Sequence, residues 1–355
     1  MRTRFLFVVL ICLVAPSRSQ AAPDERYPEF QFRRHKEEGG VLPYRLLVPR
    51  DVRPGQSYPL VIWLHGSGEK GTNNRLQLHP PLSETFLADA ARTKHPCFVM
   101  VPQCPSDASW TGVAINKAPE ISEPSRMILA TIAELQKEFT IDARRISIGG
   151  FSMGGFGTWD LVVRRPSLFA AAFPISGTPP GWEKLAPFIK DVPLWVFHGE
   201  KDPMSPVAAA RQLVAALRKA GSPVKYTEYR GAGHNCGNAL AEPELLDWLF
   251  SRQRPTPGTF TPADIPADAW PILRTLPPGT HGTWTGKVQR TLHHVPRLAI
   301  DGVRYRLRPA AKDNKEVTAV LDGIGEGRIT GECRVTGTVQ VDRYVWIVVE
   351  DIEVR

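Results

Sequence analysis

Short apolar runs alternate with longer amphipathic segments between residues 44 and 252, and this pattern constrains the fold most strongly. The runs at 59–64, 97–101 and 193–197 are apolar throughout, without the polar alternation of a half-exposed strand. In segment 122–139 the apolar side chains instead recur at helical spacing. Strands buried on both faces alternate with helices in this way, which predicts an α/β fold with a mostly parallel sheet covered on both faces by helices.

A glycine-flanked serine follows one of the predicted strands. The sequence Gly150-Phe151-Ser152-Met153-Gly154 comes directly after the apolar run 145–149, and a helical pattern begins immediately after it. This is the layout of a nucleophile elbow, a sharp turn that holds a serine Oγ clear of the sheet. A chain with 29 glycines can match such a motif by chance, so the interpretation depends on whether the chain also supplies a base, an acid and an oxyanion site.

The chain supplies the two missing side chains in the required order. Asp202 and His234 each follow a predicted strand, and the carboxyl ends of parallel strands meet at one edge of a sheet. We expect Ser152 to be the nucleophile, His234 to accept its proton, and Asp202 to orient the imidazole. Glu200 and Asp191 are alternative acids.

A serine nucleophile also needs donors for the oxyanion that develops on the substrate. The backbone N–H of Met153 is one predicted donor. The second is expected from the loop that begins at His65, where the sequence leaves Ser67 and Gly68 as alternatives. His65 and His198, which both end strands in His-Gly pairs, are interpreted as structural.

Two tryptophans lie in predicted loops beside this edge. Trp110 and Trp182 could line a substrate cleft, although packing is an equally good interpretation of each. The connection at 177–192 is too short for a helical lid, which favours an open cleft.

The sequence changes character after residue 254. Prolines crowd the segment from 255 to 278, and short alternating segments rich in Val, Ile, Thr and Gly follow. No strong helix signal is visible there, so we predict a small all-β domain, for which a barrel is one candidate form. The predicted organisation is a signal peptide at 1–21, a catalytic domain at 22–254, and a proline-rich linker with the β domain at 255–355. Near balance of charge after residue 255 disfavours nucleic acid as a partner, and leaves a structural role or glycan contact for this domain.

The first residues resemble an export signal. Arg2 and Arg4 precede an apolar run at 5–15, and small residues end the segment near Ala21. The run is too short to span a bilayer, so the sequence predicts a cleaved signal peptide, a secreted or periplasmic protein and no stable membrane anchor. Cleavage would remove three arginines from a chain of formal net charge +8, which leaves only a mild excess of positive charge.

Four cysteines would remain after cleavage: Cys97, Cys104, Cys236 and Cys333. A disulfide between Cys104 and Cys236 is one prediction, since both are expected in loops at the active-site edge. Four free or buried thiols are the alternative. The spacing of Cys and His suggests no metal site, and we predict no cofactor.

Four segments together resemble one branch of the α/β-hydrolases. They are Leu64-His65-Gly66-Ser67-Gly68-Glu69, the elbow from 149 to 155, His198-Gly199-Glu200-Lys201-Asp202-Pro203 and Gly233-His234-Asn235-Cys236. The branch contains secreted bacterial esterases similar to feruloyl esterases, acetylxylan esterases and polyhydroxybutyrate depolymerases, often labelled predicted peptidases. The resemblance covers residues 44–254 and implies a triad of Ser152, Asp202 and His234, with an oxyanion hole near Ser67 and Met153. The glycine-rich strands at 331–349 more faintly resemble an oligonucleotide/oligosaccharide-binding (OB) barrel.

The function expected from this sequence is hydrolysis of short acyl or hydroxycinnamoyl esters, on small molecules or on polysaccharide, by a secreted serine carboxylesterase. A serine peptidase of the prolyl-oligopeptidase type is the alternative enzyme, although no propeller-like repeat precedes the predicted catalytic domain. A carbohydrate-binding protein with an inert hydrolase core is the alternative from another class.

Overall fold

The structure is a computed structural model that describes residues 26–38, 40–111, 121–236, 239–263, 265, 281–289, 296–300, 303–311, 314–341 and 345–354. The predicted signal peptide at 1–21 lies outside these residues. In the part of the chain described, no helix combines the length and the apolar character needed to cross a membrane.

An eight-stranded sheet organises the first two thirds of the chain. Its strands are β1 (Phe30–Glu37), β2 (Gly40–Leu47), β3 (Tyr58–Leu64), β4 (Phe98–Pro102), β5 (Ile141–Phe151), β6 (Ala171–Ile175), β7 (Trp195–Gly199) and β8 (Lys225–Tyr229). They lie in the order β1-β2-β4-β3-β5-β6-β7-β8. Strands β3 to β8 run parallel, whereas β2 pairs antiparallel with both of its neighbours.

Helices cover both faces of this sheet. They are α1 (Pro80–Leu87), α2 (Asp89–Lys94), α3 (Glu123–Glu138), α4 (Met153–Arg164), α5 (Ala186–Ile189), α6 (Val207–Lys219) and α7 (Leu245–Phe250). Buried side chains of α3, α4 and α6 form one hydrophobic cluster with alternate residues of the strands. Side chains of α1 and α7 form a second cluster with the remaining strand residues. The predicted α/β class, with a mostly parallel sheet, is therefore confirmed.

Strand β1 forms one edge of the sheet. It lies outside β2, with which it pairs antiparallel. Strand β1 carries Arg33, Arg34 and Lys36, and charged side chains of this kind protect an exposed edge against pairing with other chains. These charges also hide the apolar alternation by which a strand is recognised.

The carboxy-terminal region forms a second unit. Strands β9 (His281–Gln289), β10 (Arg297–Ile300), β11 (Val303–Pro309), β12 (Gly331–Val341) and β13 (Val345–Val354) form a closed barrel in the order β10-β11-β13-β12-β9. The prediction that this region is all-β is wrong, because helix α8 (Lys315–Glu326) joins β11 to β12. Its stripe of Val317, Leu321 and Ile324 packs into the barrel core, and Asn314 caps its first turn.

The segment after α7 packs against the α/β unit before the barrel begins. The backbone N–H groups of Gly258 and Ala263 donate hydrogen bonds to the carbonyls of Ala143 and Arg164 at 2.7 and 3.0 Å. Phe260 packs against the hydrophobic cluster that contains α3 and α4. The predicted linker thus starts with residues that belong to the packing of the first unit.

The predicted disulfide between Cys104 and Cys236 is absent, since all four cysteines in the described residues are free and buried. Cys104 belongs to the hydrophobic cluster on one face of the sheet, and Cys236 belongs to the cluster on the other face. The Sγ of Cys236 instead accepts a hydrogen bond from the buried Ser176 Oγ at 3.1 Å.

Candidate active site

Ser152 lies in a sharp turn between β5 and α4. Its backbone has φ 55° and ψ −113°, a conformation that is costly for a residue with a side chain. Close packing of the turn requires glycine at position 154, where a Cβ would lie 1.8 Å from the Leu64 carbonyl oxygen. The serine occupies the N-cap position of α4, but its hydroxyl does not cap the helix. The strained turn therefore keeps Oγ available for another partner.

That partner is His234, in the loop after β8. The Oγ of Ser152 lies 2.8 Å from Nε2 of His234, and Nδ1 of His234 lies 2.8 Å from Oδ2 of Asp202. Because an ionised carboxylate can only accept, Nδ1 carries the proton and Nε2 accepts from the serine hydroxyl. The structure thus brings the three predicted residues into one hydrogen-bonded chain, which can move a proton from Oγ to the imidazole.

Asp202 lies at the base of this chain, in the loop after β7, with its side chain fully shielded from solvent. Burial acts to raise the pKa of this carboxyl. The neighbouring His198 imidazole and hydrogen bonds from His234 and the Ser205 N–H outweigh burial and hold the pKa below its ordinary value. The carboxylate therefore stays ionised and can stabilise an imidazolium. Glu200, the alternative acid that is nearer to Asp202 in the sequence, instead accepts a hydrogen bond from the Gly231 N–H at 2.7 Å.

The imidazole is also held by packing. The ring of Phe151 lies 5.2 Å from that of His234, centroid to centroid. The side chain of His234 is 18% exposed, so the base is accessible from solvent while its acid partner is not. This asymmetry suits a group that must meet a substrate on one side only.

Two backbone segments are candidates to supply the donors for an oxyanion. Met153 is the first residue of α4, and the first N–H groups of a helix have no partner within it. The predicted second donor lies in a 3₁₀ turn, Ser67–Glu69, that follows β3. Burial raises the pKa of the Glu69 carboxyl, which interacts with the N–H groups of Glu69 and Gly66. Ser67 and Gly68 therefore remain the donors that this turn can offer, and a Cβ at Gly68 would meet nothing within 4 Å.

The side chain of His65 stabilises the backbone that leads into this turn. It is fully buried, and its Nε2 accepts from the Cys104 N–H at 2.9 Å. Its Nδ1 lies 2.6 Å from the Gly66 carbonyl oxygen. Burial lowers the pKa of His65 to about 4, so the ring is neutral at ordinary pH. Its partners give it the structural place that the sequence suggested.

The two tryptophans predicted as possible substrate contacts are packing residues. Trp110 is fully buried and donates from Nε1 to the His65 carbonyl oxygen at 3.0 Å. Trp182 is 9% exposed and lies in the hydrophobic cluster of α3 and α4. Both side chains lie inward because their large apolar surfaces are removed from water there. Neither is available to line a cleft.

Sequence reasoning missed one side chain that reaches the site. His198 is the fourth of the five residues of β7 and precedes Asp202 by four residues, and its Nε2 lies 3.4 Å from Oδ2 of that carboxylate. The sequence signal was the short separation of the two residues, since His198 stands just four positions before Asp202. Its position at the carboxyl end of a strand, where functional side chains collect, also pointed there.

In the described part of the chain, no group of three or more His, Cys, Asp and Glu side chains is arranged to hold a metal ion. What the geometry of the site can perform is proton transfer coupled to attack by a serine hydroxyl.

Comparison with known proteins places this geometry in a family. The sequence profile of the phospholipase/carboxylesterase family matches residues 53–241, just over half of the chain. Esterase LipQ of Mycobacterium tuberculosis is 47% identical over 73 residues, which cover 20% of this chain and 15% of LipQ. The bifunctional acetylxylan esterase/xylanase XynS20E of Neocallimastix patriciarum is 27% identical over 168 residues, which cover 47% of this chain and 22% of that enzyme.

A solved structure is similar over a larger part of the chain. A thermostable esterase shares 38% of its residues in the matched region, with a TM-score of 0.60, and the match covers 64% of each chain. The chain therefore spans less than two thirds of the length of each of these three proteins. The resemblance predicted from the sequence, to esterases of the α/β-hydrolase fold, is confirmed.

Proposed function

The chain belongs to the phospholipase/carboxylesterase family of α/β-hydrolases, and on that premise we propose that it is a serine carboxylesterase that works through an acyl-enzyme. One observation carries the proposal. The hydroxyl of Ser152, on a strained turn, is hydrogen-bonded to His234, which is hydrogen-bonded to the buried carboxylate of Asp202. This is the arrangement that acyl transfer by a serine requires.

In the first half of the reaction, Ser152 Oγ attacks the carbonyl carbon of the ester while its proton passes to Nε2 of His234. The carbonyl oxygen becomes an oxyanion, and the Met153 N–H stabilises it together with the N–H of Ser67 or Gly68. Loss of one such donor typically costs about 3 kcal/mol of transition-state stabilisation. The tetrahedral species collapses, the C–O bond to the alcohol breaks, and His234 returns the proton to the leaving oxygen.

In the second half, water replaces the alcohol. His234 takes a proton from the water as its oxygen attacks the acyl carbon, and then protonates Ser152 Oγ as the acid leaves. Asp202 keeps the same role in both halves, since it fixes the tautomer of the imidazole and stabilises the imidazolium without taking the proton. No further group is needed to balance the reaction.

The proposed substrates are short acyl or hydroxycinnamoyl esters, including those carried by plant polysaccharide. The relative XynS20E is named an acetylxylan esterase/xylanase, which supports this class for a related site. The connection after β6 contains only a 3₁₀ turn and the one-turn helix α5, packed into the core through Leu185 and Ile189. A cleft without a helical lid in this position suits soluble and polymer-linked esters.

A panel of model substrates tests the proposal. Wild type and Ser152→Ala should be compared on p-nitrophenyl acetate, methyl ferulate, acetylated xylan and a peptide p-nitroanilide. We expect ester turnover that falls by about 10⁶-fold in Ser152→Ala, with much slower anilide cleavage in the wild type. Anilide cleavage without ester cleavage would favour the peptidase alternative, and function that is intact in Ser152→Ala would favour a binding protein.

Two further proposals concern the ends of the chain. The pairing β9-β10-β11-β13-β12, with a helix between β11 and β12, supports an OB-type barrel, which we propose is a structural module or a glycan contact. Retention of the full-length protein, but not of a chain shortened after residue 265, on insoluble polysaccharide would favour the glycan contact.

Export after cleavage near Ala21 is likewise proposed, and the amino-terminal sequence of the mature protein tests it.

A further inference from the structure

His198 lies beside the proposed acid but outside the chain of proton transfer. It is the fourth residue of β7, and its side chain is fully buried. Its Nε2 lies 2.7 Å from the Ser205 carbonyl oxygen and 3.4 Å from Oδ2 of Asp202. Nε2 of His198 thus lies beside both Asp202 and Ser205, which belong to the same loop after β7.

The two neighbours determine where the proton lies. A carbonyl oxygen and an ionised carboxylate can only accept hydrogen bonds, so Nε2 of His198 must carry the proton. The other nitrogen, Nδ1, is buried and has no hydrogen-bond partner in the described residues. Burial of a polar atom without a partner costs free energy, so the chain tolerates a cost at Nδ1 in order to place an imidazole here.

The remaining contacts of Asp202 show what this imidazole adds. The N–H groups of Met204 and Ser205 donate to Oδ1 at 2.8 and 2.9 Å, which fixes one oxygen of the carboxylate. The other oxygen, Oδ2, lies 2.8 Å from Nδ1 of His234 and 3.4 Å from Nε2 of His198. His198 also holds the Ser205 carbonyl, so both the carboxylate and its loop are tied to β7.

Other titratable and charged groups near this carboxylate are few in the described residues. Glu228 of β8 lies opposite His198 in the sheet and is paired with Arg211 of α6. The Cys236 thiol lies within the electrostatic influence of Asp202. Neither Glu228 nor Cys236 donates a hydrogen bond to the carboxylate among the contacts described. In the part of the chain that the structure describes, His198 and His234 are thus the two side chains with a titratable nitrogen within 4 Å of Oδ2.

We propose that His198 is a positioning residue for the esterase reaction: its Nε2–H donates to the Ser205 carbonyl and lies against the Asp202 carboxylate, so it fixes the loop that carries Asp202 to β7. The proposal rests on the proposed function, because it assigns a role within that triad. A residue that only filled space at this position of β7 would not require a donor at Nε2. It would also not require an imidazole, whose Nδ1 is buried here without a partner.

Loss of this donor should have two effects on the reaction. The carboxylate and its loop lose an anchor, and small displacements of a catalytic group can cost up to about a hundredfold in rate. The negative charge of Asp202, no longer shared with His198, also interacts more strongly with a protonated His234. The imidazolium is then favoured, so the acid limb of the kcat/KM profile should move to higher pH.

His198→Phe and His198→Gln separate these effects from simple packing. Phenylalanine keeps a planar ring without a donor, whereas the glutamine amide can donate to the same oxygens. With p-nitrophenyl acetate, we expect His198→Phe to lower kcat by about tenfold to a hundredfold, with little change in KM and an acid limb at higher pH. We expect His198→Gln to recover most of the loss and to restore the acid limb. Thermal unfolding of both variants shows how much of any loss comes from destabilisation.

Wild-type kcat and an unmoved acid limb in His198→Phe would overturn the proposal. Equal impairment of both variants with an unmoved acid limb would do so too, since it would indicate a structural role alone. Should the phenylalanine variant not fold, ¹⁵N-histidine NMR of the wild-type protein at pH 8 decides, with the proton of His198 expected on Nε2 and its presence on Nδ1 contradicting the proposal. Ser152→Ala, assayed in parallel, keeps the two ideas apart, because retained activity there would refute the esterase assignment whatever His198 does.

Discussion

At the scale of single residues, the account depends on the charge of Asp202. Asp202→Asn keeps the size of the side chain but removes the charge and allows the wrong tautomer of His234, so kcat should fall by about 10⁴-fold. The neighbouring Glu200 offers a matched control. Among the described residues its side chain accepts from the Gly231 N–H alone, and Glu200→Gln should retain nearly the full rate on the same chromogenic ester. Comparable losses in the two variants would show that the acid has been misassigned.

The buried His65 makes stability depend on pH. Burial lowers its folded pKa to about 4, whereas the unfolded chain binds the same proton near pH 6.5. The unfolded state therefore binds more protons than the folded state between these values, and stability falls as pH decreases through this window. From pH 7.5 to pH 5, this residue alone should remove about 2 kcal/mol from the free energy of unfolding.

A non-titrating replacement isolates that contribution. His65→Gln can still accept the Cys104 N–H through its amide oxygen, but it cannot take up a proton. Urea unfolding at pH 7.5 and pH 5 should show a smaller loss of stability in the variant than in the wild type. Equal losses in both proteins would mean that other groups account for the effect, such as the half-buried His79, whose pKa is also lowered by burial.

At the scale of elements, the sequence was informative where burial is complete. Strands β3, β4 and β7 are buried throughout, so their apolar runs are unbroken and their ends can be read from the sequence. The turn at Ser152 could also be predicted from the sequence, because close contact with the Leu64 carbonyl permits only glycine at position 154.

The sequence was less informative where an element is half exposed. Strand β1 carries charges at the sheet edge, and helix α8 contains Gly323 and Gly325, which have low helix propensity. The roles of Trp110 and Trp182 depended on which way their side chains point, and local patterns do not specify this. Similarly, nothing in the local sequence shows that Cys104 and Cys236 lie on opposite faces of the sheet.

The packed segment after α7 leads to a prediction about stability. A Cβ at Gly258 would lie 2.5 Å from the Leu168 carbonyl oxygen, so Gly258→Ala must displace backbone. We expect a loss of about 1–3 kcal/mol in the free energy of unfolding, measured in urea. Thr256→Ala, at an exposed position in the same segment, should change it little. An unchanged stability in Gly258→Ala would show that this segment does not contribute to the first unit.

At the scale of the whole molecule, the proposed chemistry belongs to the first unit alone. In the described residues, the hydrogen-bond partners of Ser152, Asp202 and His234 all lie within 152–236. A chain shortened after residue 265 keeps the packed segment and should therefore keep the full-length kcat on a soluble ester. A large loss of kcat, with unfolding still cooperative, would show that the barrel takes part in the reaction.

The central claim is that Ser152 is the nucleophile, and covalent labelling tests it most directly. The full-length protein should be treated with a fluorophosphonate at pH 8, assayed on p-nitrophenyl acetate, digested, and mapped by mass spectrometry. The account predicts one adduct per chain, on the peptide that contains Ser152, formed in step with the loss of turnover and absent from Ser152→Ala. Full inactivation with the adduct on another residue, or turnover that persists in Ser152→Ala, would contradict it.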